Sequence, residues 1–185
     1  MNPLVDKLPD SVTIQGQQYA IHTDFRVWIQ VGTLVKQASD ILHIAVQLLQ
    51  LCYVTLPPTL NEALNAIFSF YTGREGSKNG KRGGVPVYDF VYDADYIYAA
   101  FMAQYNIDLM RDDLHWWQFL ALFNALSEDC RLIQIMQYRG MPLGKIKDKE
   151  QRAFYRRMKE QYRLPDRRTP EQQEHDMVDI LSDVF

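Results

Sequence analysis

Cysteine is scarce in this chain: only Cys52 and Cys130 occur in 185 residues, far apart and each inside an apolar, helical-looking stretch. That usage fits two buried free thiols better than a disulfide framework. No CxxC and no Cys/His ligand spacing is present, so nothing suggests a structural zinc. GxSxG, HExxH and EF-hand patterns are missing as well. We therefore expect no cofactor, no metal site and no enzymatic activity. Long apolar runs are also lacking. The longest, Ile41 to Leu51, is interrupted by His43, Gln47 and Gln50, and is too short and too polar to span a bilayer. The opening MNPLVDKLPDS has neither the basic nor the apolar region of a signal peptide, so a soluble protein with no membrane partner is expected. A formal net charge of -3 advertises no overall attraction to nucleic acid. No internal repeat is found.

What the chain does have is core material. Apolar residues make up 47%, with 11 Tyr, 9 Phe and 3 Trp, which excludes the composition of a disordered chain. The length suits one domain, with or without a small appendage.

The one β signal comes early. Val12, Ile14, Tyr19 and Ile21 alternate with polar residues around Gly16-Gln17. A type II′ turn there would set Ile14 against Tyr19 and Val12 against Ile21, all four on one face needing a helical partner. Helical signals follow from Thr23-Asp24. Ser39-Asp40 precedes ILHIAVQLLQLCY, whose apolar residues nearly encircle the helix and predict deep burial. Pro57-Pro58 enforces a break, Thr59 with Glu62 reads as a reciprocal capping box, and Gly73 ends that helix. Asp89 or Asp93 opens the next, with Tyr92, Tyr96, Ala99 and Ala103 as its stripe, widened by Ile97, Ala100 and Phe101. Asp112-Asp113 opens LHWWQFLALFNAL, and Ser127 opens a helix ending at Arg139-Gly140. Asp148 with Gln151 starts KEQRAFYRRMKEQYRL, and Thr169-Pro170 with Gln172 starts the last helix.

The expected architecture is mostly α: about seven to eight helices with a small N-terminal β-hairpin. The main domain covers 1–165, with the hairpin at about 10–22 and a flexible glycine-rich loop at 73–86. An amphipathic helix at 166–185 is appended to it.

Three features invite a chemical reading. The loop GREGSKNGKRGGVP fails as a phosphate-binding loop. Glu75 stands where a glycine is needed, Arg82 where Ser or Thr is needed, and no strand precedes it. His115, close to Asp112, Asp113 and two tryptophans, is the most site-like cluster. Its aspartates, however, suit a helix N-terminus, and Trp116 and Trp117 should bury against two different neighbours. Charge is the third. Lys145 to Arg168 carries ten Lys/Arg against four Asp/Glu, a local balance of +6, whereas Thr169 to Phe185 carries five Asp/Glu and no Lys/Arg. The basic helix interleaves its acids and shows no nucleic-acid motif, so a protein partner is preferred to nucleic acid. The candidate partner-binding stripes are Phe154, Tyr155, Met158 and Tyr162 on the basic helix, and Met177, Ile180, Leu181, Val184 and Phe185 on the acidic one. The second stripe either docks on its own domain or is offered to a partner's groove. Charge-paired helices of this kind also allow self-association.

Three stretches together resemble the bacteriophage gene-product-fifteen family of long-tailed phages and prophages of Gram-positive bacteria. They are LPDSVTIQGQQYAIHTDFRVWI, YAAFMAQYNIDLMRDDLHWWQFLALFNALSED, and IMQYRG followed by DKEQRAFYRRMKEQYRLP, spanning roughly residues 8 to 165. The most specific part runs from Ile107 to Phe119, with Tyr138-Arg139 and Phe154-Tyr155 behind it. The resemblance implies a cytoplasmic role in the bacterial host as a tail assembly chaperone. It would bind the tape-measure protein and tail-tube subunits during tail morphogenesis. It also implies that about 166–185 is either a lineage-specific ending or one ending of a frameshifted pair. The alternative function is a nucleic-acid-binding phage accessory protein using 145–168.

Overall fold

The computed structural model describes residue 2 and residues 4–73 and 86–165. The expected loop of 73–86 and the helix of 166–185 therefore fall almost entirely outside the described residues, together with Met177, Ile180, Leu181, Val184 and Phe185.

Strands β1 (Ser11–Ile14) and β2 (Gln17–Ala20) form the antiparallel hairpin. Its turn sits one residue earlier than expected, at Gln15-Gly16, where φ is +50° and +79°. Two positive φ values make this a type I′ turn, the kind whose twist matches the strands. Val12 consequently faces Tyr19, and Ile14 faces Gln17. The shift changes partners and not faces. Ile14 and Ile21 are buried, with Val12 and Tyr19 packed beside them. β1 lies on α3, and the far edge of β2 is extended by the chain after α2, where His22 N donates to Cys52 O (2.8 Å) and Val54 N to Ala20 O (3.1 Å).

Seven helices follow among the described residues: α1 (Phe25–Gln37), α2 (Ile41–Cys52), α3 (Leu60–Thr72), α4 (Ala94–Tyr105), α5 (Trp116–Asn124), α6 (Arg131–Gly140) and α7 (Lys149–Gln161). A single 3-10 turn at Leu143–Lys145 joins the last two. Asp24 and Asp40 cap α1 and α2 through Arg26 N and Leu42 N, as their positions predict. Asp148 accepts from Gln151 N (2.7 Å) at the start of α7, which is one half of the expected box.

Several expectations are corrected. α2 is not buried all round. Ala45, Leu48, Leu49 and Cys52 face the core, but α1 and α3 cover only one side, leaving Leu42 and Val46 in water. The box at α3 does not close. Thr59 Oγ1 donates to Glu62 Oε2 (2.9 Å) instead of capping the backbone, and the same Glu62 also holds Gln15. On α4 the buried residues are Ile97, Ala100 and Phe101, while Tyr92, Tyr96, Ala99 and Ala103 are exposed. Ile97 and Phe101 bring more apolar area to the core than the stripe of tyrosines and alanines. α5 starts at His115 rather than at Asp112-Asp113, and α6 starts at Cys130, one turn beyond Ser127.

The core is organised around α5. The fully buried Phe119 ring stacks on Phe25 of α1 (4.8 Å between centroids), Phe101 of α4 (5.1 Å) and Trp116 (5.8 Å), with Phe90 and Phe123 closing the cluster. Trp116 and Trp117 share α3 as a neighbour, and Trp116 also meets Phe90 (6.2 Å). Both indole N–H groups reach the last turn of α3, at Tyr71 O (2.8 Å) and Phe70 O (2.9 Å). Tyr71 O is a carbonyl that the helix end leaves open, and Phe70 O accepts from Gly73 N (3.1 Å) as well. Truncating Phe119 to Ala should remove the joint between α1, α4 and α5 and destabilise the fold by about 3–5 kcal/mol. Urea unfolding followed by circular dichroism measures that loss, and a change below about 1 kcal/mol would contradict the hub assignment.

Candidate interaction surface

The cluster around His115 is built by two helix starts laid side by side. Phe25 N donates to Leu114 O (3.0 Å) and Trp116 N to Thr23 O (2.8 Å), so α1 and α5 each supply a partner for the other's unsatisfied N–H. Arg26 clamps the preceding turn onto α1. It reaches Asp24 (2.7 Å), Leu109 O and Asp112 O (both 2.9 Å), and Asp113 (3.4 Å). Asp112 itself accepts from Asp108 N (2.8 Å), so neither aspartate caps α5. That task falls to His115. Its Nδ1 accepts from Trp117 N (3.0 Å), Gln118 Oε1 takes His115 N (3.2 Å), and Nε2 lies 2.9 Å from Pro9 O.

An Nδ1 acceptor with Nε2 facing a carbonyl calls for the neutral, Nε2-protonated ring. Burial accordingly holds the imidazole below its ordinary range, against weaker upward pulls from Pro9 and Asp10. Elsewhere, burial pushes the Cys52 thiol up to about 12, which leaves it an inert core thiol, whereas Cys130 is only partly buried. Among the described residues no group of three or more His, Cys, Asp or Glu is placed to hold a metal ion. No helix there is long and apolar enough to cross a membrane.

The stripe of Phe154, Tyr155, Met158 and Tyr162 lies on α7, and the fold brings it together around one ring of α6. Tyr138 meets Phe154 (6.3 Å), Tyr155 (6.2 Å) and Tyr162 (6.0 Å, stacked). Tyr162 is further held through its hydroxyl by Arg131. No residue of α7 is fully buried, and Phe154 keeps 41% of its surface in water. Lys149, Arg156 and Arg157 stand exposed on the same helix.

Sequence reasoning missed what anchors this arrangement. Arg139, read as a helix end and as part of a family-marking pair, is buried and forks onto the buried Asp93 through two bonds of 2.6 and 2.9 Å. It also donates to Val87 O (3.0 Å) and to Tyr162 O (2.5 Å). One guanidinium therefore ties the approach to α4, the start of α4, and the end of α7 to α6. Asp93 completes its shell by accepting from Asp89 N (2.9 Å). The only hint in the sequence was an arginine beside a tyrosine at a helix terminus, which does not reveal a partner 46 residues away.

Two outcomes are expected. Asp93→Ala strands the Arg139 charge in the interior and should cost about 3–5 kcal/mol, read by urea unfolding. Hydrogen exchange should show α7 loosened first, and wild-type protection of α7 would contradict the anchor. For His115, the folded ring binds its proton more weakly than the unfolded one, whose ordinary value is 6.5. Its contribution is fully present above that value and declines as pH falls below it. The melting temperature of the wild type should therefore fall more steeply than that of His115→Asn, which keeps a capping oxygen, between about pH 7 and pH 5. Parallel curves would refute the neutral-cap assignment.

Neither curated proteins nor solved structures provide a match to this chain. A family model does: that of Bacteriophage Gp15 protein covers residues 4–164, including the α5 start and the α6–α7 joint. The chain therefore belongs to the bacteriophage Gp15 family, which suggests a role in the structure or assembly of a phage particle.

Proposed function

We propose that the protein is a tail assembly chaperone that holds the tape-measure protein through the outer face of α7 and brings tail-tube subunits to it. Family membership supports the assembly role. The feature supporting the surface is α7 itself, a helix with no fully buried residue, seated on α6 by an aromatic joint and by Arg139, and presenting Phe154 between Glu150 and Arg157 one turn to either side. A long helical client offers many weak sites. A partly exposed aromatic ring on a helix of net positive charge suits repeated shallow contacts to a client with apolar and acidic stripes. The protein works by binding, without catalysis.

The exposed Arg156 and Arg157 also favour a second reading, contact with nucleic acid phosphates. The two differ in salt response, because release of counterions makes phosphate binding fall steeply with salt whereas apolar contacts persist.

Co-expression with a tape-measure protein of the same phage tests the first reading. The client should become soluble and co-purify with the wild type. Phe154→Glu should reduce its recovery at least about tenfold, a loss of roughly 1.4 kcal/mol, with the protein still folded and helical by circular dichroism. Unchanged recovery would remove α7 from the client surface. No recovery with the wild type would remove the chaperone reading.

A further inference from the structure

On the other side of the α1–α5 core lies a face that α7 does not involve. The 47 residues from Val27 to Gly73 contain only Lys36, Asp40 and Glu62 of the chain's 20 Lys/Arg and 23 Asp/Glu. α2 carries no Asp, Glu, Lys or Arg at all, yet Leu42 is 65% and Val46 61% exposed. Beside this ridge, α1 and α2 enclose an open groove of about 570 Å³. Half-buried Ile29, Leu34 and Leu51 form its apolar part, exposed Gln30, Gln47 and Gln50 line its rim, and no charged residue lines it. Gln50 stands between ridge and groove around the α2 axis, beside an exposed His43 that pairs within its own chain with Asp40 (3.2 Å), so ridge and groove belong to one broad surface.

A face so depleted of charge limits what can cover it. A charged helix laid there would bury its charges with nothing opposite to pair them. A two-fold contact between identical chains sets each residue against a copy of the same patch. Charged residues near such an axis meet their own sign, whereas a glutamine amide both donates and accepts and can pair with another glutamine. Apolar residues with charges depleted are the mark of an interface core. A ridge and a groove side by side on one face also let each copy fill the other.

We propose that the α1–α2 face is where a second copy of this chain docks, the Leu42–Val46 ridge of each copy entering the groove of the other. This goes beyond the tail assembly reading and does not depend on it, since it requires no client.

Sedimentation equilibrium of the full chain tests it. The wild type should show a concentration-dependent dimer that is not weakened when salt is raised, because no ion pair holds it. Val46→Lys, a change at an exposed position, should weaken the dimer at least about tenfold with helicity and melting temperature unchanged. Should that variant fold poorly, Val46→Ser removes the apolar contact without adding charge and should weaken the dimer in the same direction. Arg157→Glu on α7 should leave it intact. A wild type that stays monomeric at all concentrations overturns the proposal, even if it still captures the tape-measure protein. So does a dimer indifferent to both Val46 variants, or one dissolved by salt or by Arg157→Glu.

Discussion

The ring of Phe119 is the contact on which the other elements depend. It is the place where α1, α4 and α5 meet, through Phe25, Phe101 and the helix's own Trp116. Stacked aromatic faces fix both the spacing and the tilt of the helices that carry them, which branched aliphatic packing does less strictly. From that point the fold spreads outward along α5. One turn earlier, Trp116 and Trp117 fasten the end of α3, and at the cap His115 reaches back to Pro9 near the N-terminus.

Polar groups in this protein are spent on joining helix ends rather than on building a reactive centre. Arg26 satisfies carbonyls of the turn that leads into α5, and His115 and the two indoles fasten backbone groups at helix ends. The buried Arg139–Asp93 pair does the same for the α4 approach and the end of α7. Among the described residues no buried side-chain nitrogen or oxygen lacks a partner. An interior so completely matched holds its groups in fixed partnerships, and the two surfaces proposed for binding are the outer side of α7 and the charge-poor α1–α2 face. One is basic and aromatic, the other apolar and amide-lined, so they suit different partners.

The family-marking stretches gain a physical meaning from this. The segment from Ile107 to Phe119 is the turn clamped by Arg26 together with the cap, indoles and hub of α5. Tyr138-Arg139 and Phe154-Tyr155 form the α6–α7 joint. These positions set where α7 stands, and among them Phe154 alone also keeps a large part of its ring in water.

Local signals were legible wherever the physics is local. The helical class, the hairpin's buried face, the caps Asp24, Asp40 and Asp148, and the stop at Gly73 all follow from short-range hydrogen bonding and from the period of apolar residues. The stripe on α7 was legible for the same reason. Errors arose where two local solutions compete. Gln15-Gly16 and Gly16-Gln17 both offer a turn whose twist suits the strands, and the protein takes the first. Asp112 and His115 both offer a cap, and the α1–α5 strap selects the second. Only the tertiary structure could reveal which side of α2 and α4 meets the core, because an apolar side chain is buried by what packs on it and not by its own character. Only it could pair Asp93 with Arg139, since a buried charge finds its counterion through space, across a separation that no sequence period records.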